Sequence, residues 1–584
     1  SQIFMLPKIN LKCFLYVISV LLLLQYGAVA EDDKQGNWVS FEARTEVWDA
    51  VAGKNNYVMQ PNRIEATFEK DGAAWMIMGA NAPVVNPIVC PKDWPVKDDE
   101  FELVALEEPI TNAKILPHTG HISGAARDNV MLVVAARDSF ENSSFVIRSG
   151  NKELHNVTVT ISDLVTSGEP GITNRNAMLH KYNIDIRIVK CWFQAGTAIN
   201  DTKHKILTPE LLLHDDSLVM VDYAHQVNIV KNIDKIQDTK VIQPFIVPAK
   251  QNKQVWLTIN VPKDQRPGIY KGLVTVAANG NTKTIPLLIE ILPFVLPEPT
   301  LEYAFYYEGR LTSTGQPKVS YSDKTPQQML ADLIDMRNHG LTNATVWHQF
   351  STDTSMWSKD QERLRQTLSI RKMMGWGSEP LLYLDWTTTF KNDLALYRRK
   401  LRLIKEVAQE YGINKIYIYG VDEVTGHRLK MLRPLYQAVR EEGLMNFVAC
   451  KEDFLLYVPD LLDLPNLARK QEPYVMNIIK KIGVLAWNYG NPQNGVEEPA
   501  TYRNNYGLSL ILNGFHGTCN YAYQGSWNDF KNHVYRSHAM AYATLDEPIP
   551  TMQWEGWRAG VNDVRYLTLL RGLNPKIDDY LNSY

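Results

Sequence analysis

Pro293, Pro297 and Pro299 mark the point where the chain changes its period, and that change limits the folds open to it. Proline removes a backbone donor and fixes φ, so neither a sheet ladder nor a helix runs easily through such a cluster. Beyond it, apolar strand-like runs alternate with helical stretches. EYAFYYEG is followed by TPQQMLADLIDMRNHG, NATVWHQF by DQERLRQTLSIRKMM, PLLYLDW by DLALYRRKLRLIKEVAQEYG, and KIYIYGVDE by RLKMLRPLYQAVREEG and the strand NFVAC. Further strands are expected at KIGVLAWNY and GTCNYAY. Repeated βα units on this scale predict a (β/α)8 TIM barrel over residues 299–584. A doubly wound sheet is the alternative, but no GxGxxG follows an early strand and no phosphate-binding loop is present.

The half before the prolines reads differently. From Trp38 to Leu292 short alternating segments such as NVTVTISDL and QVWLTINV are separated by Gly, Pro, Asn and Asp, and Asn279-Gly280 is a strong hairpin signal. This pattern predicts an all-β sandwich over 127–298, preceded by a β-rich region at 31–126. That earlier region is either a separate small domain or extra strands on the same sandwich.

Residues 1–30 have the order of a secretory signal: Lys8 and Lys12, then CFLYVISVLLLL, then Ala28-Val29-Ala30. Cleavage is expected near Ala30 and the mature protein is expected to be secreted or periplasmic. The apolar core is short for a bilayer span of about 20 residues, so no integral membrane span is expected after cleavage. Cleavage removes one of five cysteines. The other four, Cys90, Cys191, Cys450 and Cys519, show no CxxC pairing, and both buried thiols and a bridge stay open. Asn142, Asn156, Asn200 and Asn343 stand in Asn-x-Ser/Thr sequons, the last on an apparent buried strand. A formal charge of -3 gives no basic field for a phosphate backbone, so nucleic acid is not an expected partner. No set of His, Cys, Asp and Glu stands at ligand spacing, and neither a metal nor another cofactor is expected. Oligomeric state is not legible.

In a barrel the active site lies at the C-terminal ends of the strands. Those ends carry Tyr307 and Glu308, Trp347 and His348, Asp385 and Trp386, Asp422 and Glu423, Trp487 with Asn488 and Tyr489, and Tyr521 with Tyr523. Aromatic rings for the apolar faces of pyranoses, with polar groups for hydroxyls, form a sugar-binding set. Asp422-Glu423 is the sharpest feature. Neighbouring strand residues face opposite ways, so both can face one ligand only where a strand ends and turns. Most glycosidases place their two carboxyls on different strands. Adjacent carboxyls suit a different division of labour: one protonates the leaving oxygen while its neighbour orients the substrate's own 2-acetamido group onto the anomeric carbon. A solvated acidic pair capping the next helix is the plain structural alternative.

YGVDEV, with RNNYGLSLILNGFHGTCNYAYQG and QWEGWRAGVNDVRYLTLL downstream and QVWLTINVPKDQRPGIYKGLVTV and LPFVLPEP upstream, resembles glycoside hydrolase family 123, the β-N-acetylgalactosaminidases. The resemblance spans about 130 to 572. It implies a β-sandwich and linker before a catalytic barrel, with Glu423 as general acid/base and Asp422 as the acetamido-orienting carboxylate. Trp487, Tyr489, Tyr521 and Tyr523 match only its general aromatic pattern, while Glu555, Arg558, Gly560, Asp563 and Tyr566 match its closing segment, where Glu555, Arg558 and Asp563 are expected to form a structural ion network, a substrate role being the alternative. The reading is an exported glycoside hydrolase removing terminal β-linked N-acetylgalactosamine or a related N-acetylhexosamine, with Asp422 and Glu423 catalytic. Trp347, His348, Asp385, Trp386, Trp487, Asn488, Tyr489, Tyr521 and Tyr523 are expected to contact the glycan. Two further readings stay open: a glycosidase for a sugar without the acetamido group, and a non-catalytic carbohydrate-binding protein.

Overall fold

Alternation of apolar and polar residues builds two large sheets in the first half of the chain. Phe101–Ala105, Ser139–Ser149, Ile184–Ala195, Lys205–Leu213 and Asn252–Val261 form a five-stranded antiparallel sheet. Seven further strands, among them Met131–Arg137, Leu154–Ile161, Gly268–Ala278 and Asn281–Val295, form a second sheet. Side chains on a strand alternate between faces, and Phe145, Val255 and Leu257 of the first sheet share one apolar core with Val157, Val274 and Ile289 of the second. The hairpin expected at Asn279-Gly280 is present: both residues have positive φ, 49° and 79°, as a two-residue I′ turn requires, and Ala278 pairs with Asn281.

The computed structural model describes residues 65–578, apart from 71–72, 80–81, 98–99, 167–177, 313, 378–379, 386–392, 531, 533 and 575. The expected leader and Trp386 lie outside the described residues. The strands described before residue 127 are joined to the sheets that follow. Phe101–Ala105 pairs with Ser139–Ser149, and Glu65–Lys70 and Ala73–Met78 form a four-stranded sheet with Val219–Asp222 and Val227–Lys231. A cut near 127 therefore runs across shared ladders. Long-range strand pairing, which local sequence does not report, decides the grouping.

After the prolines come eight parallel strands: β1 (Glu302–Phe305), β2 (Val346–Trp347), β3 (Leu381–Leu384), β4 (Ile416–Tyr419), β5 (Met445–Cys450), β6 (Leu464–Ala468), β7 (Trp487–Tyr489) and β8 (Gly517–Asn520). They pair in chain order from β2 to β8, and β8 pairs with β1. The sheet curls until its ends meet, where Asn343 and Thr345 donate backbone N–H groups to the carbonyls of Tyr303 and Phe305, at 3.0 and 3.1 Å. This arrangement is compatible with the barrel expected from the βα alternation. Its helices start where sequence says they should. Helix α1 (Pro326–Asn338) opens with proline at its first position and a capping box between Thr325 and Gln328. Helix α2 (Leu394–Glu410) packs Leu401 and Ile404 against Ile416 and Ile418 on the outer face of β4, while Tyr417 and Tyr419 turn inward.

Helix α4 (Met552–Leu573) ties the two halves together, and helix α3 (Pro499–Tyr506) lies directly against it. A Cβ at Gly556 would lie 2.2 Å from the Pro499 carbonyl oxygen, and one at Gly560 2.6 Å from that of Arg503, so only glycine permits this approach. Arg558 pairs with Glu555, which also meets His339, and Arg503 holds Asp563 through two bonds of 2.8 and 3.0 Å. The Tyr566 hydroxyl accepts the Ala136 N–H at 3.1 Å and Asn562 donates to the Phe140 carbonyl at 2.7 Å. The closing segment is thus a structural network reaching back to the β-rich half. Cys90, Cys191, Cys450 and Cys519 are free thiols, and Asn343 is buried with its amide on the Pro380 carbonyl.

Candidate active site

Strand β4 ends at Tyr419, and at the next residue, Gly420, a Cβ would crowd the Tyr436 hydroxyl at 2.6 Å. The chain then turns through Val421, Asp422 and Glu423. Glu423 has φ of 48°, the left-handed region, and its N–H donates to the Ala449 carbonyl at the end of β5, at 3.1 Å. A non-glycine residue there costs about 1–2 kcal/mol, and such positions concentrate at functional sites. The turn breaks the strict alternation of the strand, and both Asp422 and Glu423 reach solvent at the barrel mouth.

Three carboxyls at this end are each held by a tyrosine. Tyr419 donates to Asp422 Oδ1 at 2.6 Å, Tyr489 donates to Glu423 Oε1, and Tyr521 donates to Glu308 Oε1 at 2.7 Å. Tyr306 lies between them. Its ring is 5.6 Å from Tyr419, 6.2 Å from Tyr521 and stacked at 6.1 Å on Phe447, and its hydroxyl accepts from Asn466 at 3.0 Å. Burial of its carboxyl pushes Asp422 above the usual carboxylate range; the Tyr419 hydroxyl opposes this, and the neighbouring Glu423 adds to it. Glu308 is likewise pushed up by burial, against its bond from Tyr521 and the charge of Arg310. Burial, then the partner carboxylates, raise the phenols of Tyr489 and Tyr521 far above their ordinary value, so both remain donors. The loop after β7 is pinned at its base: Gly490 N–H donates to Asn520 Oδ1 at 3.0 Å, and Tyr502 donates to the Gln493 carbonyl at 2.7 Å.

The structure brings together Asp422, Glu423, Tyr489 and Tyr521, with Trp347 half-buried at the end of β2 and packed against the inner cluster. The remaining expected contacts point elsewhere. Asp385 faces the helical layer and pairs with Lys400 of α2 at 2.5 Å. His348 is buried between Phe350 and Tyr383, ring centroids 5.4 and 6.3 Å away, and burial holds its pKa down to about 3. Asn488 is buried and donates to the Leu467 and Arg469 carbonyls. Tyr523 donates to Asp335 on α1 at 2.7 Å, and Tyr307 to Asp332 at 2.8 Å. Trp487 is 2% exposed and edge-on to Phe447, so it fills the barrel rather than meeting solvent. For His348, Asp385 and Asn488 one physical reason covers the departure, whereas Tyr523 shares the parity of Tyr521 and lies beyond the end of β8 at Asn520. Nearness to a strand end selects the right height in the barrel, but the two-residue period decides which face a side chain takes. Applied to YIYG and AFYYE, that period turns Tyr419, Tyr306 and Glu308 inward, and Tyr419 and Tyr306 are the site residues that strand-end position alone passes over. Among the described residues no group of three or more His, Cys, Asp or Glu side chains could hold a metal ion, and no helix is long and apolar enough to cross a membrane.

Residues 141–278 match the family model for the glycoside hydrolase 123 N-terminal domain. Among solved structures, a family 123 glycoside hydrolase from Clostridium perfringens, studied for glycolipid glycan hydrolysis, is similar at 14% identity over 83% of this chain and 90% of that one, with a TM-score of 0.57. A Bacteroides uniformis β-glucuronidase is similar at 8% identity over 74% of this chain and 51% of that one, TM-score 0.29. An endo-β-1,4-mannanase from Thermotoga petrophila is similar at 13% over 46% and 77%, TM-score 0.28. No curated protein matches. The matched N-terminal domain, together with a fold shared across most of both chains, bears out the resemblance to glycoside hydrolase family 123.

Proposed function

We propose that the protein is a retaining glycoside hydrolase that removes terminal β-linked N-acetylgalactosamine, or a related N-acetylhexosamine, with the substrate's acetamido oxygen as nucleophile. The observation that carries this reading is the turn at the end of β4, where two consecutive carboxyls reach one mouth because Glu423 adopts a left-handed backbone. Glu423 gives its proton to the departing glycosidic oxygen as the C–O bond breaks. Asp422, as carboxylate, accepts the acetamido N–H and stabilises positive charge developing on that nitrogen as the carbonyl oxygen closes onto C-1. The resulting oxazolinium is opened by water, whose proton returns to Glu423, and the anomeric configuration is retained. Tyr419 and Tyr489 orient the two carboxyls. The C. perfringens relative supports a glycolipid or other glycoconjugate as the natural substrate. The segment CFLYVISVLLLL before Ala28-Val29-Ala30 supports export, and the two sheets with one core support a β-sandwich before the barrel.

A panel of aryl glycosides tests the reading. Turnover of 2-acetamido-β-glycosides, with the β-anomer of the sugar as first product by NMR, is the expected result. An α-anomer as first product, or activity confined to sugars without the acetamido group, would overturn it.

A further inference from the structure

Glu308 lies on the chain just after β1, apart from the pair that carries the proposed reaction, and no step above uses it. Its surroundings are those of a receptor for hydroxyl groups. One carboxyl oxygen accepts from Tyr521 at 2.7 Å. The other has no hydrogen-bond partner among the described residues, and the residue is half-buried rather than closed off. The Tyr521 hydroxyl directs its one proton to Glu308, which leaves its lone pairs as acceptors. The two groups thus offer acceptors and no donor, the complement of sugar O–H groups.

The Tyr521 ring is fixed against Tyr306 at 6.2 Å and edge-on to His538 at 5.2 Å, and its backbone carbonyl accepts from Gln493 at 3.3 Å. Tyr306 also meets Tyr419, which holds Asp422, at 5.6 Å between rings, and β4, which carries Tyr419, stands four strands away from β8 in the sheet. Two carboxyl–tyrosine pairs from well-separated strands therefore meet at one buried phenol. A pyranose over Tyr306 with C-1 and C-2 at Glu423 and Asp422 turns C-4 and C-6 toward the other pair, because C-4 and C-5, which carries C-6, are the ring positions opposite C-1 and C-2. Resting on the glycosidase reading, we propose that Glu308, held by Tyr521, is a specificity-determining residue that accepts hydrogen bonds from the 4- and 6-hydroxyls of the terminal sugar and sets the preference between C-4 epimers.

The test compares kcat/KM of the full-length enzyme, Glu308→Gln and Tyr521→Phe on aryl 2-acetamido-β-galactosides and -glucosides and on their 4-deoxy and 6-deoxy analogues. Glu308→Gln preserves shape. It is expected to lower kcat/KM for the preferred epimer about 10- to 100-fold, the range for a lost hydrogen bond to a charged group, and to bring the epimer ratio toward one. The factor is expected to be the same for good and poor leaving groups, unlike that of an acid catalyst. Removing the 4-hydroxyl or the 6-hydroxyl from the substrate is expected to cost the unmodified enzyme more than it costs the variant. An unchanged epimer ratio with equal deoxy penalties in enzyme and variant would overturn the proposal. So would collapse of kcat restored by azide, which would make Glu308 a nucleophile. The deoxy comparison on the unmodified enzyme keeps the proposal open to failure even if a variant does not fold. Turnover only of glycosides without the acetamido group would sink the substrate-assisted reading alone, since the epimer ratio would still judge Glu308.

Discussion

The barrel mouth and the junction between the barrel and the β-rich half both gather carboxyls and aromatic donors, and they treat them in opposite ways. At the junction Glu210 accepts from Trp192 at 2.7 Å, Gln194 at 2.6 Å, Gln553 at 2.8 Å and Tyr542 at 3.1 Å. Arg536 serves Glu497 and Asp529. All of these carboxyls are buried. Burial pushes Glu497 up to about 7 and Asp529 to about 6 even with Arg536 beside them. At the mouth Asp422, Glu423 and Glu308 each have a single tyrosine donor among the described residues, and solvent reaches all three. A carboxyl whose acceptor sites are filled by its own protein holds the fold together, whereas one with open acceptor sites is available to a ligand.

That contrast can be broken first at Glu423. Glu423→Gln is expected to lower kcat by about 10² to 10⁴ on a substrate with a poor leaving group and much less on an activated aryl glycoside, with little change in melting temperature. Equal losses on both substrates would remove Glu423 from the acid role. The junction should show the converse. Arg536→Met leaves buried carboxyls without their cation and is expected to cost about 3–5 kcal/mol of stability, read by thermal or denaturant unfolding. The sign with pH is fixed: raised carboxyls bind protons in the folded state, so their contribution is greatest below their unfolded values and is lost as pH rises through about 6 to 7. Without Arg536 they climb further. The penalty should therefore be larger at pH 8 than at pH 5, by roughly 1.4 kcal/mol per pH unit for each proton retained. A penalty independent of pH would contradict the network.

Asp385 sharpens the same contrast because its position on the strand resembles that of a mouth residue and its face does not. Asp385→Asn is expected to destabilise the fold by leaving Lys400 buried without its ion pair, while KM for a 2-acetamido glycoside stays within about twofold. A large rise in KM in a stably folded variant would return Asp385 to the mouth. The smallest expected effect is at Tyr419. Its hydroxyl favours the ionised form of Asp422, so Tyr419→Phe should move Asp422 further up. Since the proposed mechanism uses the carboxylate, the acidic limb of the kcat/KM profile is expected to shift to higher pH by up to about one unit, limited by solvent screening. A shift to lower pH, or none, would show that Tyr419 does not tune this group.

How much of this could be read from residues alone follows the range over which each determinant acts. The βα rhythm, the Thr325-Pro326 helix start and the Asn279-Gly280 turn are local, and each appears where its residues stand. The Asp422-Glu423 pair was legible for the same reason: a strand end followed by a turn is a local event. The joining of Phe101–Ala105 to Ser139–Ser149 and of Gln553 to Glu210 links distant segments, and no short-range pattern announces either. The misplacement of His348, Asp385 and Asn488 has a different origin. Their height in the barrel was right, and the two-residue period that would have turned them outward was present in the sequence but not carried through to the last residue of each strand.

The most direct measurement compares rates on an aryl 2-acetamido-β-galactoside and the matching β-galactoside, for the unmodified enzyme and for Asp422→Asn, with and without a thiazoline that mimics the cyclised intermediate. The expected result is much faster cleavage of the acetamido sugar and competitive inhibition by the thiazoline, both weakened in Asp422→Asn, because a neutral amide cannot stabilise the positive charge on the closing ring. Comparable rates on the two galactosides, together with indifference to the thiazoline, would contradict a nucleophile supplied by the substrate.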